Sequence, residues 1–349
     1  MSAPKPWLSI QPQRLPISLR VDRRVPVVFG LLVVVALAAL VVNVSQGEYF
    51  IPPLDVVKTI VGIPTNPEAA FVVNTLRLPR ALVALLIGMG LATSGTILQG
   101  LTRNPLAAPE IVGINAGASV VAVAMIVLFP SLPIASLPLA AFVGGLVGAI
   151  AIYLLAWNQG TSPIRLILVG IGLTMLLNAF TNLMITFGEI NAVTQALVWL
   201  TGSVYGRSWE HLGPLLPWLV VFIPLSWLLA RDLDALSLGD DLAQGLGTRV
   251  EWTRRLLIVC SVALAGSSVA TAGTIYFVGL MAPHLARLAV GPSHAGLIPV
   301  AALTGACIVE LADMTGRLLF TPLELPCGII TAAIGAPYFL WLLYRNRNR

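Results

Sequence analysis

The chain alternates between apolar runs of about twenty residues and short breaks rich in proline, glycine, arginine and acidic side chains. Within the runs the apolar residues are continuous rather than alternating. A hydrocarbon core about 30 Å thick takes roughly 20 such residues per helix, whereas a membrane β-strand would alternate apolar and polar positions over about ten residues. The pattern predicts an all-α polytopic membrane protein with about ten transmembrane helices. The runs are about 25–45, 80–100, 111–130, 135–157, 164–187, 212–230, 254–273, 275–291, 297–320 and 327–344. The run at 275–291 is short and contains Pro283, and the run at 297–320 carries charges near its end. The first run follows Arg20, Arg23 and Arg24 and is not succeeded by a small-residue cleavage pattern. It reads as an uncleaved first helix.

Composition agrees with this pattern. The 349 residues are 57% hydrophobic and only 10% charged, with mean hydropathy +0.91, against about 25% charged in soluble domains. With the N-terminus inside and the runs alternating, only Lys58, Arg77, Arg80, Arg207 and Arg317 of the 20 lysines and arginines fall outside. That bias places both termini in the cytoplasm. It also accounts for the basic pI without a nucleic-acid partner. The expected organisation is a tail at 1–24, one transmembrane domain at 25–345 with a cytoplasmic segment at about 231–253, and a tail at 346–349.

Enzyme chemistry has little to stand on. A phosphate-binding loop needs a lysine after its glycines, and neither Lys5 nor Lys58 follows such a loop. His211, His284 and His294 lack metal-ligand spacing, and Cys260, Cys307 and Cys327 read as buried packing residues. The chain is expected to bind no metal or cofactor itself. An ion gradient is the other energy source. Glu310, Asp313 and Arg317 share one helical face near the outer end of the ninth run, as a proton relay or, more simply, as acid–base neighbours at a helix end.

Specific motifs interrupt the runs. R-L-P-R spans Arg77 to Arg80, and G-L-T-R-N-P-L-A-A-P-E-I-V-G spans Gly100 to Gly113. L-S-L-G-D-D-L-A-Q-G-L-G runs from Leu236 to Gly247, and F-V-G-L-M-A-P-H-L-A-R from Phe277 to Arg287. L-E-L-P-C-G-I-I-T-A-A-I-G-A-P-Y-F-L-W-L-L closes the series at Leu323 to Leu343. In this order they resemble the permease subunits of binding-protein-dependent ABC importers for iron–siderophore complexes, haem and vitamin B12. The resemblance covers about residues 50–345. It implies a bacterial inner-membrane subunit paired with a second copy or a similar chain. It also implies two cytoplasmic ATPases that carry ATP and Mg, and a periplasmic or lipoprotein substrate-binding protein.

The residues support particular roles. Two arginines at a positive helix N-terminus are unfavourable for the helix dipole, so Arg77 and Arg80 need another explanation. The resemblance makes them, with Arg317 and Glu324 of the outer segment, the docking site for the binding protein; snorkelling to lipid headgroups is the alternative. In the cytoplasmic segment, Ser237 or Gly239 can cap a short helix whose first turn holds Asp240 and Asp241, and Gly247 can stop it. Leu238, Gly239, Asp240, Asp241, Ala243, Leu246 and Gly247 resemble the coupling helix that sits in a cleft of the ATPase, with Arg103 as a further contact. Thr161 and Ser162 match a gating Thr-Ser pair. Asn178, Thr181 and Asn182 read as lining the translocation path.

A-T-S-G-T-I at Ala92–Ile97 and A-T-A-G-T-I at Ala270–Ile275 suggest an internal repeat. Five runs separate the copies, which makes the repeat inverted. The outer stretch Ala196–Trp209 looks closer to siderophore permeases than to those for vitamin B12 or haem. The expected cargo is therefore a ferric siderophore, with haem or vitamin B12 as the alternative and a gradient-driven transporter as a third reading.

Overall fold

The structure is a computed structural model that describes residues 7–10, 19–158, 162–319 and 323–346. A short antiparallel pair, β1 (Trp7–Ile10) and β2 (Leu19–Asp22), precedes the helices. Helix α1 (Arg24–Ser45) is followed by the short α2 (Pro53–Ile60) and α3 (Pro67–Phe71). Both short helices open on proline, whose missing N–H is no loss in a first turn. α3 continues through a π-helical stretch, Val72–Arg77, into α4 (Leu78–Thr102). A 3₁₀ turn at Pro109–Val112 leads to α5 (Ile114–Leu128), then α6 (Leu137–Ala156), α7 (Pro163–Phe187) and α8 (Ile190–Thr201). Next come α9 (Trp209–Leu228), α10 (Ala230–Ser237), α11 (Asp240–Gly245) and α12 (Val250–Ala272). The last three are α13 (Val278–Val290), α14 (His294–Leu318) and α15 (Cys327–Asn346).

Every apolar run read from the sequence is helical, but two helices are shorter than expected. Among the described residues eight helical segments are long and apolar enough to cross a membrane, while α5 has 15 residues and α13 has 13. At 1.5 Å per residue these two reach only about 20 Å, short of the ~30 Å core. Backbone geometry explains both. Gly113 takes φ 72° and delays the start of α5. Gly273 (φ 77°) ends α12 and Phe277 (φ 68°) precedes α13, so the chain between them is not helical.

Helices α4, α12 and α14 form the buried centre, and the others pack around them. The α4–α14 crossing depends on glycine. A Cβ on Gly88 would collide with the carbonyl oxygen of Gly305, and a Cβ on Gly305 with that of Gly88. Small residues let backbones approach where lipid offers no hydrophobic drive between helices. The α4–α12 contact is tied by Ser94 and Ser261, whose hydroxyl oxygens lie 2.7 Å apart. The two repeat-like hexapeptides differ locally. Ala92–Ile97 is buried helix inside α4, whereas the second copy leaves the helix at Gly273.

α7 and α15 both carry uncovered apolar side chains. α7 exposes Leu168, Met175, Phe180 and Phe187, and α15 exposes Ile334, Leu340 and Trp341.

Candidate functional site

The residues singled out in the sequence gather at the two ends of the helix bundle. At the end that the arginine bias assigns to the outside, the arginines at the start of α4 find acceptors that offset the unfavourable dipole. Arg77 donates to the C-terminal carbonyls of α1, Val44 at 2.9 Å and Ser45 at 3.3 Å, and to Tyr49 at 2.8 Å. Carbonyls at a helix C-terminus carry partial negative charge, which suits a cation.

Arg80 reaches α14. Its Nη2 lies 2.8 Å from Asp313 Oδ1, its Nε is 3.2 Å from both Asp313 oxygens, and its Nη1 lies 2.8 Å from Glu324 Oε2. The Asp313 side chain is 2% exposed and that of Glu324 31%. The Arg80 guanidinium also stands 5.5 Å from the Tyr205 ring centroid. Arg317 donates from Nη2 to Asn43 O and Oδ1, both at 2.5 Å, and Asn43 Nδ2 donates to Glu310 Oε1 at 3.2 Å. Glu310 and Asn43 are buried. Thus Arg77, Arg80, Arg317 and Glu324 do converge with Glu310 and Asp313. Within the chain, the three cations are balanced by three carboxylates and the end of α1.

The inner end is built around Asp240. Gly239 precedes α11 with φ 121°, a conformation that favours glycine. Asp240, the first residue of α11, is bridged by Arg103 Nη2 at 3.0 Å and Arg254 Nη2 at 2.8 Å. Arg103 caps α4 in the left-handed region (φ 53°), and Arg254 on α12 also binds Glu251 at 2.9 Å. The start of α11 is therefore clamped to the ends of two central helices. Ala243 is buried, and Leu238, Leu242 and Leu246, at i, i+4 and i+8, are exposed at 61%, 61% and 68%. These three apolar side chains stand uncovered beside the charged start of α11.

Sequence reasoning missed a second tie. Asp234 of α10 accepts from His294 N at 2.9 Å and Ser293 Oγ at 3.1 Å, and its Oδ1 is 2.5 Å from His294 Nδ1. It caps the N-terminus of α14 from another helix. The same α14 carries Asp313 and Arg317 at its outer end. The two candidate sites thus share one long helix.

The remaining candidates are less gathered. Ser162 sits in extended backbone just before α7, and Thr161 lies outside the described residues. Asn178 and Asn182 are exposed on α7, but Thr181 is buried and donates to Leu177 O at 3.1 Å. All three stand at i, i+3 and i+4 on one side of α7, with the asparagines uncovered and Thr181 turned in against its own helix.

The assembly of long apolar helices around a glycine-packed centre, with ion-paired clusters at both ends and a short exposed helix on one face, defines a multi-pass membrane transport subunit. The family model described as the FecCD transport family matches residues 32–345, and the chain belongs to that family. It is 46% identical over 321 residues to the achromobactin transport system permease protein of Dickeya dadantii (strain 3937), covering 91% of each chain. It is 44% identical over 280 residues to the Fe(3+) dicitrate transport system permease protein FecD of Escherichia coli (strain K12), covering 80% of this chain and 87% of the relative. A cobalamin import system permease protein of Halobacterium salinarum is 41% identical over 288 residues, covering 82% and 76%. Among solved structures, an inward-facing conformation of a metal-chelate type ABC transporter matches with TM-score 0.83 and 31% identity, covering 92% of this chain and 99% of that one.

Proposed function

We propose that this chain is the permease subunit of an ABC importer that passes a ferric siderophore from a binding protein outside the membrane to the cytoplasm. The observation that carries the reading is the single helix α14, tied by Asp234 beside the exposed coupling segment and by Arg80 and Asn43 at the outer cluster. A helix held at both ends transmits displacement between an ATPase on one face and a binding protein on the other. ATP and Mg belong to the two partner ATPases, and the row Leu238, Leu242 and Leu246 is where they engage. Both termini lie inside, as the arginine bias supports.

The binding protein docks on the outer cluster. Its carboxylates compete with Glu324, the more exposed of the two Arg80 partners, for the guanidinium. A second permease copy or similar chain covers the open faces of α7 and α15, and Asn178 and Asn182 then line the path. Thr161 and Ser162 close it on the inner side. Weakly polar walls suit a chelate that already wraps its metal. The 43% identity to a siderophore transport system permease protein of Bacillus subtilis (strain 168) supports the siderophore cargo. The cobalamin relative supports the second reading, vitamin B12 in the same machine. An ion-gradient mechanism loses support because Asp313 is already neutralised by Arg80.

The test is uptake of radiolabelled iron, presented as several ferric siderophores, in cells with and without the gene, with haem and labelled vitamin B12 in parallel. Loss of one ferric siderophore's uptake is expected. Intact iron uptake with lost vitamin B12 or haem uptake would overturn the cargo.

A further inference from the structure

A groove of about 380 Å³ runs between α6, α9 and α12, away from the uncovered faces of α7 and α15. Its wall is aliphatic and aromatic, including Leu146, Ile150, Phe222, Val259 and Val262. At the end nearer the start of α6 it is bounded by Phe142 and Trp218, with ring centroids 4.8 Å apart. At the other end stand Tyr153 and Arg255, on the same face as the coupling segment. From Phe142 to Tyr153 the helix rises about 16 Å, which is half of a ~30 Å hydrocarbon core. The groove is thus as long as one leaflet is thick.

Its two polar groups both lack a protein partner suited to them. Tyr153 Oη is buried without a hydrogen-bond partner. Arg255 is exposed and forms no ion pair among the described residues. Its guanidinium lies 5.4 Å from the Trp157 ring centroid, and Trp157 stands 5.8 Å from Tyr153. The adjacent Arg254, by contrast, is held by Asp240 and Glu251. An aromatic pair and a free cation at the end of an apolar, leaflet-long groove form the pattern expected at a lipid headgroup level.

We propose that this groove binds one anionic phospholipid of the inner leaflet. One acyl chain lies along α6 and α12 as far as the Phe142–Trp218 contact. The phosphate sits on the Arg255 guanidinium, and the Tyr153 hydroxyl donates to a phosphate or ester oxygen. Charge complementarity selects the occupant: a zwitterionic lipid fills the groove equally well but brings its own cation to Arg255.

The experiment is native mass spectrometry of the full chain purified in detergent and offered equal amounts of phosphatidylglycerol and phosphatidylcholine with identical acyl chains. The expected result is one retained lipid per chain with phosphatidylglycerol favoured by about tenfold, since both lipids offer a phosphate to Arg255 but only phosphatidylcholine sets a second cation beside it. Arg255→Gln brings the ratio to about one, and Val259→Trp, which fills the groove, lowers retention of both lipids. Arg345 is the matched control, because it too stands over a tryptophan, Trp341 at 5.1 Å, on the last turn of α15. Arg345→Gln leaves the ratio unchanged. Equal retention of the two lipids by the native chain, an unchanged ratio in Arg255→Gln, or an equal drop in Arg345→Gln overturns the proposal. The unaltered melting temperature of Arg255→Gln, measured alongside, separates lost binding from lost fold.

Discussion

Arg80 and Asp313 lie 233 residues apart in the chain and meet through three nitrogen–oxygen contacts of 2.8 to 3.2 Å, with the carboxylate almost fully buried. The pair joins the outer ends of α4 and α14, the two helices that touch backbone to backbone at Gly88 and Gly305. Removing one partner of a buried ion pair leaves an uncompensated charge and costs about 3–5 kcal/mol. Asp313→Ala is expected to destabilise the protein by that amount. Glu324→Ala, at the exposed side of the same guanidinium, costs about 0–1 kcal/mol. Thermal unfolding in detergent checks both, and equal losses would contradict the division.

The glycine crossing gives a sharper contrast. Gly88→Leu forces a side chain into the Gly305 carbonyl, and overpacking of this kind costs about 1–3 kcal/mol or more. Gly172→Ala on α7 meets no atom within 4 Å and is expected to be neutral or slightly stabilising, as alanine favours helix over glycine by up to about 1 kcal/mol. Yield of folded protein and its melting temperature report the difference.

On the inner face, Leu242→Asp is expected to abolish co-purification of the partner ATPase while the permease alone keeps its melting temperature. Leu242 is exposed, so the fold does not use its side chain, whereas a buried apolar anchor at an interface is worth about 2 kcal/mol or more. Retained co-purification would show that the row Leu238, Leu242 and Leu246 does not engage the ATPase.

Asp234→Ala removes the cap of α14, at a cost of about 0.5–2 kcal/mol. The assembled importer is expected to keep its basal ATP hydrolysis and lose most of its stimulation by the binding protein, because the link from the coupling segment to α14 is cut. ATPase rates with and without binding protein measure this, and full stimulation would contradict the shared-helix account.

The docking role of the arginines needs a variant that spares the fold. Reversing the charge of Arg80 would also strand Asp313. The paired change Arg80→Gln with Asp313→Asn removes both charges together and keeps hydrogen-bonding groups. It is expected to weaken binding-protein affinity about tenfold or more, in line with loss of a charge-assisted contact. Unchanged affinity, measured by surface binding of purified components, would remove Arg80 from the docking surface.

Much of this molecule was legible in its sequence because lipid imposes simple demands. The ten runs emerged from length and hydropathy alone, and α11 from its two aspartates and Gly247, with the structure choosing Gly239 over Ser237 as the cap. Other features are long-range or local exceptions that periodicity does not encode. The partners of Arg77 and Arg80, and the Asp240 partner of Arg254, lie on other elements, so charge patterning along one helix could not find them. α8 falls between the runs at 164–187 and 212–230, where hydropathy predicts no helix; the Glu189 carboxylate, accepting from Asn191 N and Ala192 N, is the local signal for it. Helical spacing places Thr181 beside the asparagines, but its burial and its hydrogen bond to Leu177 O are features spacing does not encode.

The central claim is an ATP-driven importer of a ferric siderophore. The most direct measurement is uptake of iron-labelled siderophore into proteoliposomes that contain the permease with its ATPase, with binding protein and substrate outside and ATP inside. The account predicts uptake that needs both ATP and binding protein and is unaffected by proton ionophores. Uptake that persists without ATPase or ATP and collapses with the proton gradient would contradict it.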